Sequence, residues 1–400
     1  MRLRTCLVII SLFCFSVLSW AEELVVDRQA EDFVTISLVV CEPYEVLYSS
    51  LGHAALRLQC PTYDLDYVFT YEGENVRAKV WTFLRGDLKM GMYAFPTEQF
   101  LSMYADIGRG VTEYPMNLTP EQEQELWRKM DEMLTAGMTM PYDYFKRGCA
   151  KSVVMVVNQV VGPNGIHYAP WSDKYTDHTI RELVRDNLSD APWTAFILYF
   201  LIGSEAEKPM NCEQKLIVPT DLVEVWQQAT LDSGKPVLAS EGNVLVQGTW
   251  QARPMWFTPL LASLIVLLLS IGALFCSGAT HRAWCIAGDV ADCIVMTVAT
   301  ALGLLMTYLV CVSSLPCTDW NWLIVPFNVL PVIGWYWRRY WAMSYAILVG
   351  VWCAYMTAML LWGHVLVDWP HIVLALALAI TLFRQGWLKA RENKLRILTI

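Results

Sequence analysis

Charge is scarce in this chain. Of its 400 residues only 17% are Asp, Glu, Lys or Arg, while 55% are apolar. Globular proteins average about a quarter charged residues, so the deficit argues against a chain that is soluble throughout. Cations are scarcer than anions: residues 22–253 hold 19 Lys+Arg against 33 Asp+Glu, a net of −14. That balance argues against nucleic acid as a partner and against broad adhesion to an anionic membrane. Histidine occupies only six positions. His167, His178 and Cys149 have no standard zinc-ligand spacing, so a metal centre is disfavoured and no cofactor is expected. Cys14 follows Ser11-Leu12-Phe13, which is not a lipobox, so a lipidated cysteine at that point is excluded.

What is present falls into blocks. Arg2 and Arg4 precede an apolar run from Cys6 to Leu18, followed by Ser19-Trp20-Ala21 with small residues at both ends. Residues 1–21 therefore read as a secretory signal peptide. Residues 22–253 have the size of an exported globular domain. Residues 254–387 read as an all-α transmembrane domain of about five helices, near 255–276, 291–312, 320–337, 343–362 and 370–387. Pro326 and Pro331 interrupt the third, which is expected to be kinked or re-entrant. Residues 388–400 form a tail. Loops 313–319 and 363–369 contain no Lys or Arg. The opposite loops and the tail hold Arg282, Arg338, Arg339, Arg384, Lys389, Arg391, Lys394 and Arg396. The positive-inside rule then places the C-terminus in the cytoplasm and the 22–253 domain on the opposite, exported side of the membrane.

Within the exported domain, Phe33–Cys41, His53–Cys60, Leu65–Tyr71 and Lys89–Phe95 read as strands. Helices are expected over Val76–Leu84, Pro96–Ile107, Cys149–Val161 and Asp221–Gln228. Another opens at Thr119-Pro120-Glu121-Gln122, a capping box with proline at the first helical position, and runs to Ala136. Pro192–Gly203 is apolar but too short to span a bilayer. Val237–Gln247, broken by Glu241-Gly242-Asn243, resembles a closing hairpin. An oxidising compartment permits disulfides. Cys41 and Cys60 end successive strands and are candidates for a bridge; Cys149 with Cys212 is another pairing that the sequence leaves open.

Two segments could carry chemistry. In Tyr142-Asp143-Tyr144-Phe145-Lys146-Arg147-Gly148-Cys149 a cysteine opens a helix amid cations. A helix N-terminus with its unpaired N–H groups stabilises a thiolate and an oxyanion alike. Upstream, Gly52-His53 heads a strand, and His53 is the candidate general base. Weaker candidates are Asp289 and Asp292, expected to be solvated, and the boundary group His364, Asp368 and His371.

These segments resemble the Lnb N-terminal periplasmic domain family, found in bacterial lipoprotein N-acyltransferases. The matching pieces run in order through Gly52-His53 with Leu56-Arg57, Asp66-Tyr67-Val68-Phe69 with Tyr71 and Gly73, and Phe83-Leu84 with Gly86. They continue through Tyr104 with Gly108-Arg109, Leu118-Thr119, Tyr142–Cys149, Pro192-Trp193 and Leu201-Ile202-Gly203. Two departures stand out. Gly148 replaces the family's asparagine before the cysteine, and Glu72 is an extra residue between Tyr71 and Gly73. The resemblance implies an α+β permuted papain-like fold with a Cys149–His53 dyad and no cofactor. Asp66 is the candidate third member, with Tyr71 as the other. Tyr71, Arg109, Tyr144 and Asn321 are the candidate substrate-binding residues. The implied reaction moves an acyl chain from a phospholipid, through a Cys thioester, to the N-terminal amine of a diacylglyceryl-cysteine lipoprotein. The alternative is a membrane-tethered cysteine peptidase or peptidoglycan amidase, and a non-enzymatic role with Cys149 bridged to Cys212 is the third reading.

Overall fold

The computed structural model describes residues 33–45, 49–143, 146–169, 179–208, 216–239, 241–252, 254–278, 280–337 and 341–398. The signal peptide, Tyr144, His178, Cys212, Arg338 and Arg339 lie outside the described residues.

A seven-stranded antiparallel sheet organises the first domain. Its strands are β1 (Thr35–Cys41), β2 (His53–Cys60), β3 (Leu65–Gly73), β4 (Lys89–Pro96), β5 (Val111–Pro115), β6 (Thr139–Pro141) and β9 (Asn243–Val246), in the order β6-β4-β3-β2-β1-β5-β9. A small second sheet pairs β7 (Ile166–His167) with β8 (Thr230–Leu231). Both faces of β1 are covered, which is why its second half, Leu38–Cys41, is apolar without a break. Ile36, Leu38 and Val40 enter the main core, while Val39 and Cys41 join a smaller cluster on the other face with Phe100. Strand alternation sorts them this way.

The helices are α1 (Val80–Arg85), α2 (Thr97–Asp106), α3 (Pro120–Thr135), α4 (Cys149–Val161), α5 (Ile180–Asn187), α6 (Pro192–Leu201) and α7 (Pro219–Gln228). Thr119 and Gln122 close the expected capping box at the head of α3. α4 buries Ala150, Val153, Val154, Val156 and Val157, and with α3 and α7 it covers the main-core face of the sheet. α2 covers the other face through Phe100.

Several expectations are corrected. Cys41 and Cys60 are both free thiols. Antiparallel register sets Cys41 opposite His53 and leaves Cys60 at the far end of β2. At about 3.4 Å per residue that separation is beyond the reach of any bridge. The described residues of 237–247 do not pair with one another: Asn243–Val246 pairs with β5, and Leu238 bridges to Met116 just beyond it. The helix expected over Val76–Leu84 begins only at Val80.

The second domain has α8 (Pro259–Cys276), α9 (Arg282–Cys311), α10 (Leu330–Trp337), α11 (Trp341–Leu361) and α12 (Trp369–Leu398). Among the described residues four helices are long and apolar enough to cross a membrane, within α8, α9, α11 and α12. The expected third span is instead a 3-10 turn (Trp322–Ile324) followed by the eight-residue α10. Proline denies a backbone donor to a continuous helix, and Asn328 takes over the satisfaction of Ile324 and Val325 carbonyls. Asp292 is fully buried and paired with Arg384, not solvated; Asp289 remains exposed. Between apolar helices the two charges are kept by each other, with Ser277 and Asp289 also on Arg384 and Gln385 also on Asp292.

The two domains dock closely. Ser313 Oγ donates to the Leu84 carbonyl, and Ser314 N donates to the Arg85 carbonyl at 2.9 Å. Gly203 N donates to the Cys317 carbonyl at 2.5 Å. Gly86, at φ +89°, lies so near the backbone of Ser314 that a Cβ would collide with it. Gly86→Ala is therefore expected to cost about 1–3 kcal/mol through backbone strain and lost docking, read as a lower Tm. Gly272→Ala on α8, where open space surrounds the site, should leave Tm unchanged or raised.

Candidate active site

Cys149 occupies the first position of α4. Gly148 precedes it in an extended conformation and has no side chain with which to cap the first-turn N–H groups. The valine face of α4 fixes the helix across β2 and β3 and brings its N-terminus to the start of β2. There the Cys149 thiol lies close enough to the His53 side chain and the Ala54 backbone for both to act on its charge.

Two residues of β3 hold the other side of the imidazole. β2 and β3 are antiparallel, with Ala55 opposite Thr70. Two residues further along lie His53 and Glu72. His53 Nε2 is 2.6 Å from Thr70 Oγ1, and the Thr70 hydroxyl donates to Glu72 Oε1 at 3.0 Å. Glu72 Oε1 is also 3.4 Å from Nε2 directly. With Nε2 engaged by β3, Nδ1 is the nitrogen left for the thiol.

The electrostatics follow from this chain of contacts. Burial pushes the Cys149 thiol up, but His53 outweighs it and holds the thiol below its ordinary value. Burial pulls His53 down, but the Cys149 thiolate and then Glu72 hold the imidazole well above its ordinary value. Glu72 is held low: burial acts against its charge, and His53 and Thr70 overcome it. A thiolate–imidazolium pair backed by a carboxylate is the favoured state.

The pair opens on a cavity of about 250 Å³. Ser49, Glu72, Glu74, Asn75 and Arg109 supply its polar lining, and Val76, Leu88, Met90, Tyr71 and Tyr142 its apolar lining. Leu88, Val76 and Tyr142 also pack into the core of the helical domain. The apolar wall of the cavity is thus continuous with the bundle of long helices.

The sequence-predicted residues distribute as follows. His53 and Cys149 are brought together. Asp66 is not with them: it lies on the same face of β3 but near its opposite end, bound to Arg57 Nη2 at 2.6 Å and to Thr97 Oγ1 at 2.5 Å. Tyr71 lines the cavity, with its hydroxyl 3.6 Å from Met133 Sδ. Arg109 lines it too, stacked 4.9 Å over Tyr104, with Nε donating to the Glu42 carbonyl and a buried Nη2 that has no partner among the described residues. Asn321 is 2% exposed; it caps the 322–324 turn and donates to the Phe200 carbonyl at 2.8 Å, so it faces no lipid. His167 pairs with Asp232 at 2.7 Å, away from Cys149. Among the described residues no cluster could hold a metal ion. Thr70 and Glu72 were missed. The available signal was Glu72 itself, the extra residue in the family pattern, on the strand adjoining His53.

His53→Ala should leave burial as the dominant influence on Cys149 and move its pKa above that of an ordinary thiol. Each unit of that rise cuts the thiolate fraction about tenfold, so iodoacetamide labelling of Cys149 near neutral pH should slow by at least that much. Peptide-resolved mass spectrometry of the full-length protein separates Cys149 from the other cysteines.

No curated protein and no solved structure matches the chain. Two family models do. The Lnb N-terminal periplasmic domain matches residues 27–185, and the Lnb transmembrane domain matches residues 251–393. The matches fall in the order of the two structural domains, with Cys149 and His53 inside the first. The chain belongs to the Lnb-type family of inner-membrane proteins with a periplasmic N-terminal domain.

Proposed function

We propose that this protein is a lipoprotein N-acyltransferase that carries the acyl chain on Cys149. The observation that supports this most directly is the cavity wall shared between the Cys149–His53 pair and the core of the membrane helices. A nucleophile meant for soluble peptides has no need of that continuity.

The reaction runs in two halves. The Cys149 thiolate attacks an ester carbonyl of a phospholipid, and the first-turn N–H groups of α4 receive the oxyanion. His53 imidazolium gives its proton to the departing glyceryl oxygen, releasing a lysophospholipid and leaving a thioester. Neutral His53 then takes a proton from the α-amine of a diacylglyceryl-cysteine lipoprotein as that amine attacks the thioester. The thiolate leaves, and thiolate and imidazolium are restored. Glu72, through Thr70, keeps the ring oriented and favours its protonated form. Arg109 Nη2, which has no partner among the described residues, binds an oxygen of the donor in this reading. Lipid and acceptor are both embedded in the outer leaflet, which the helical domain holds against the catalytic one.

The topology that this requires has support. Arg384 on α12 donates to Ser277 Oγ at 2.8 Å, beside the α8–α9 turn. That turn lies at the far end of the bundle from the 313–319 loop that touches the globular domain. With residues 320–337 taken as a crossing without a continuous helix, this reading has the chain cross five times and end in the cytoplasm.

Incubation with phospholipid vesicles should add one acyl mass to Cys149, and Cys149→Ala should abolish N-acylation of lipoproteins. Release of peptides from lipid-free cell-wall fragments, with no acyl mass on Cys149, would instead indicate an amidase. Glu72→Gln should lower turnover on the order of 10²-fold, the scale of a mispositioned general acid–base. It should also move the descending high-pH limb of the rate profile downward, because Glu72 raises the His53 pKa. Asp66→Asn should leave both rate and profile near wild type.

A further inference from the structure

Between β3 and β4 the chain leaves the sheet as a lobe, residues 74–88, that contains α1. Its inner side lines the catalytic cavity through Glu74, Asn75, Val76 and Leu88. Phe83 and Leu84 pack into the core of the helical domain. A third face has no cover: Val80 is 45% exposed and Trp81 is 73% exposed.

The position of that face is fixed by what holds the lobe. Ser313 and Ser314, immediately after α9, bond the carbonyls of Leu84 and Arg85. α1 therefore sits level with the end of a membrane-length helix. Exposed residues at that same end of the bundle are Val312, Trp320 and Trp362. Tryptophan at the ends of spanning helices marks the headgroup region of a bilayer, where the indole is half apolar and half wet. Trp81 continues this belt onto the globular domain. Arg77 and Arg85 on the lobe are exposed as well, and their sign suits lipid phosphates. Cations so placed stand out in a domain whose net charge is −14.

We infer that the 74–88 lobe is a lipid-contact element: Val80 and Trp81 seat in the headgroup–acyl boundary of the periplasmic leaflet, with Arg77 and Arg85 at the phosphates. A phospholipid leaving the leaflet there passes Val76 and Leu88 directly into the cavity. The contact with lipid stands on the geometry of the lobe; the entry of an acyl donor past it rests on the acyl-transfer reading.

The test places p-benzoylphenylalanine at Trp81, Trp362 or Tyr63 of the full-length protein in vesicles of zwitterionic and anionic phospholipid. Tyr63 is 46% exposed and lies at the end of β2 remote from His53, so it serves as the dry control. After irradiation, phospholipid adducts are expected at positions 81 and 362 and not at 63. Absence of lipid adducts at position 81, or cross-links there only to protein, overturns the inference. As a second arm, Trp81→Glu should slow acylation of Cys149 from vesicles by about tenfold or more, since interfacial binding scales with buried apolar area. Iodoacetamide labelling of Cys149 should be unchanged, which shows that the thiol and the fold survive. If the wild type forms no acyl-enzyme yet cross-links lipid at position 81, the transfer reading fails and the lipid contact stands.

Discussion

The pairing of β2 with β3 is the constraint on which the site depends. Its register puts His53 at the start of one strand and Thr70 and Glu72 at the end of the next, so the imidazole is oriented by a neighbouring strand and not by a loop. α4 then has to deliver one atom, the Cys149 sulfur, to the same place. It does so because its valine face has a single way to lie on the main core. Neither charge of the resulting pair would be tolerated there alone, since burial opposes both. Each is held by the other, so loss of one partner drives the other toward its neutral form.

Much of this was legible in the residues. The β2 strand and the α4 helix begin and end where composition and punctuation put them: glycine before His53, and Gly162-Pro163 after Val161. Both begin with the residue proposed to act, so the two reactive positions could be named before anything was known of their distance. Strand pairing was not legible. Asp66 and Glu72 share a face of β3, and alternation alone cannot choose between them. Only the register does, and it assigns Asp66 to Arg57 and Thr97 and Glu72 to His53. The same blindness to register made Cys41 and Cys60 look like partners, when Cys41 on β1 stands opposite His53 and Cys60 lies at the far end of β2. Asn321 failed for another reason. A polar residue at the head of an apolar stretch satisfies backbone groups as readily as it meets solvent, and here the buried Phe200 carbonyl needed it.

The broken 320–337 segment shows what a hydropathy pattern does and does not contain. It is apolar enough to lie in a membrane, yet Pro326 and Pro331 deny it a continuous helix, and its exposed carbonyls must be met by side chains. Asn328 and Tyr345 do this together, with Asn328 Nδ2 2.7 Å from the Tyr345 hydroxyl. Such a segment can exist at membrane depth only when other helices surround it. Those helices also carry the loop whose Cys317 and Asp319 carbonyls receive Gly203 and Ser204 from the globular domain. The irregular segment, the docked loop and the cavity at Cys149 are therefore one mechanical unit. Such a unit fixes the distance between Cys149 and the helical bundle, which a flexible tether could not do.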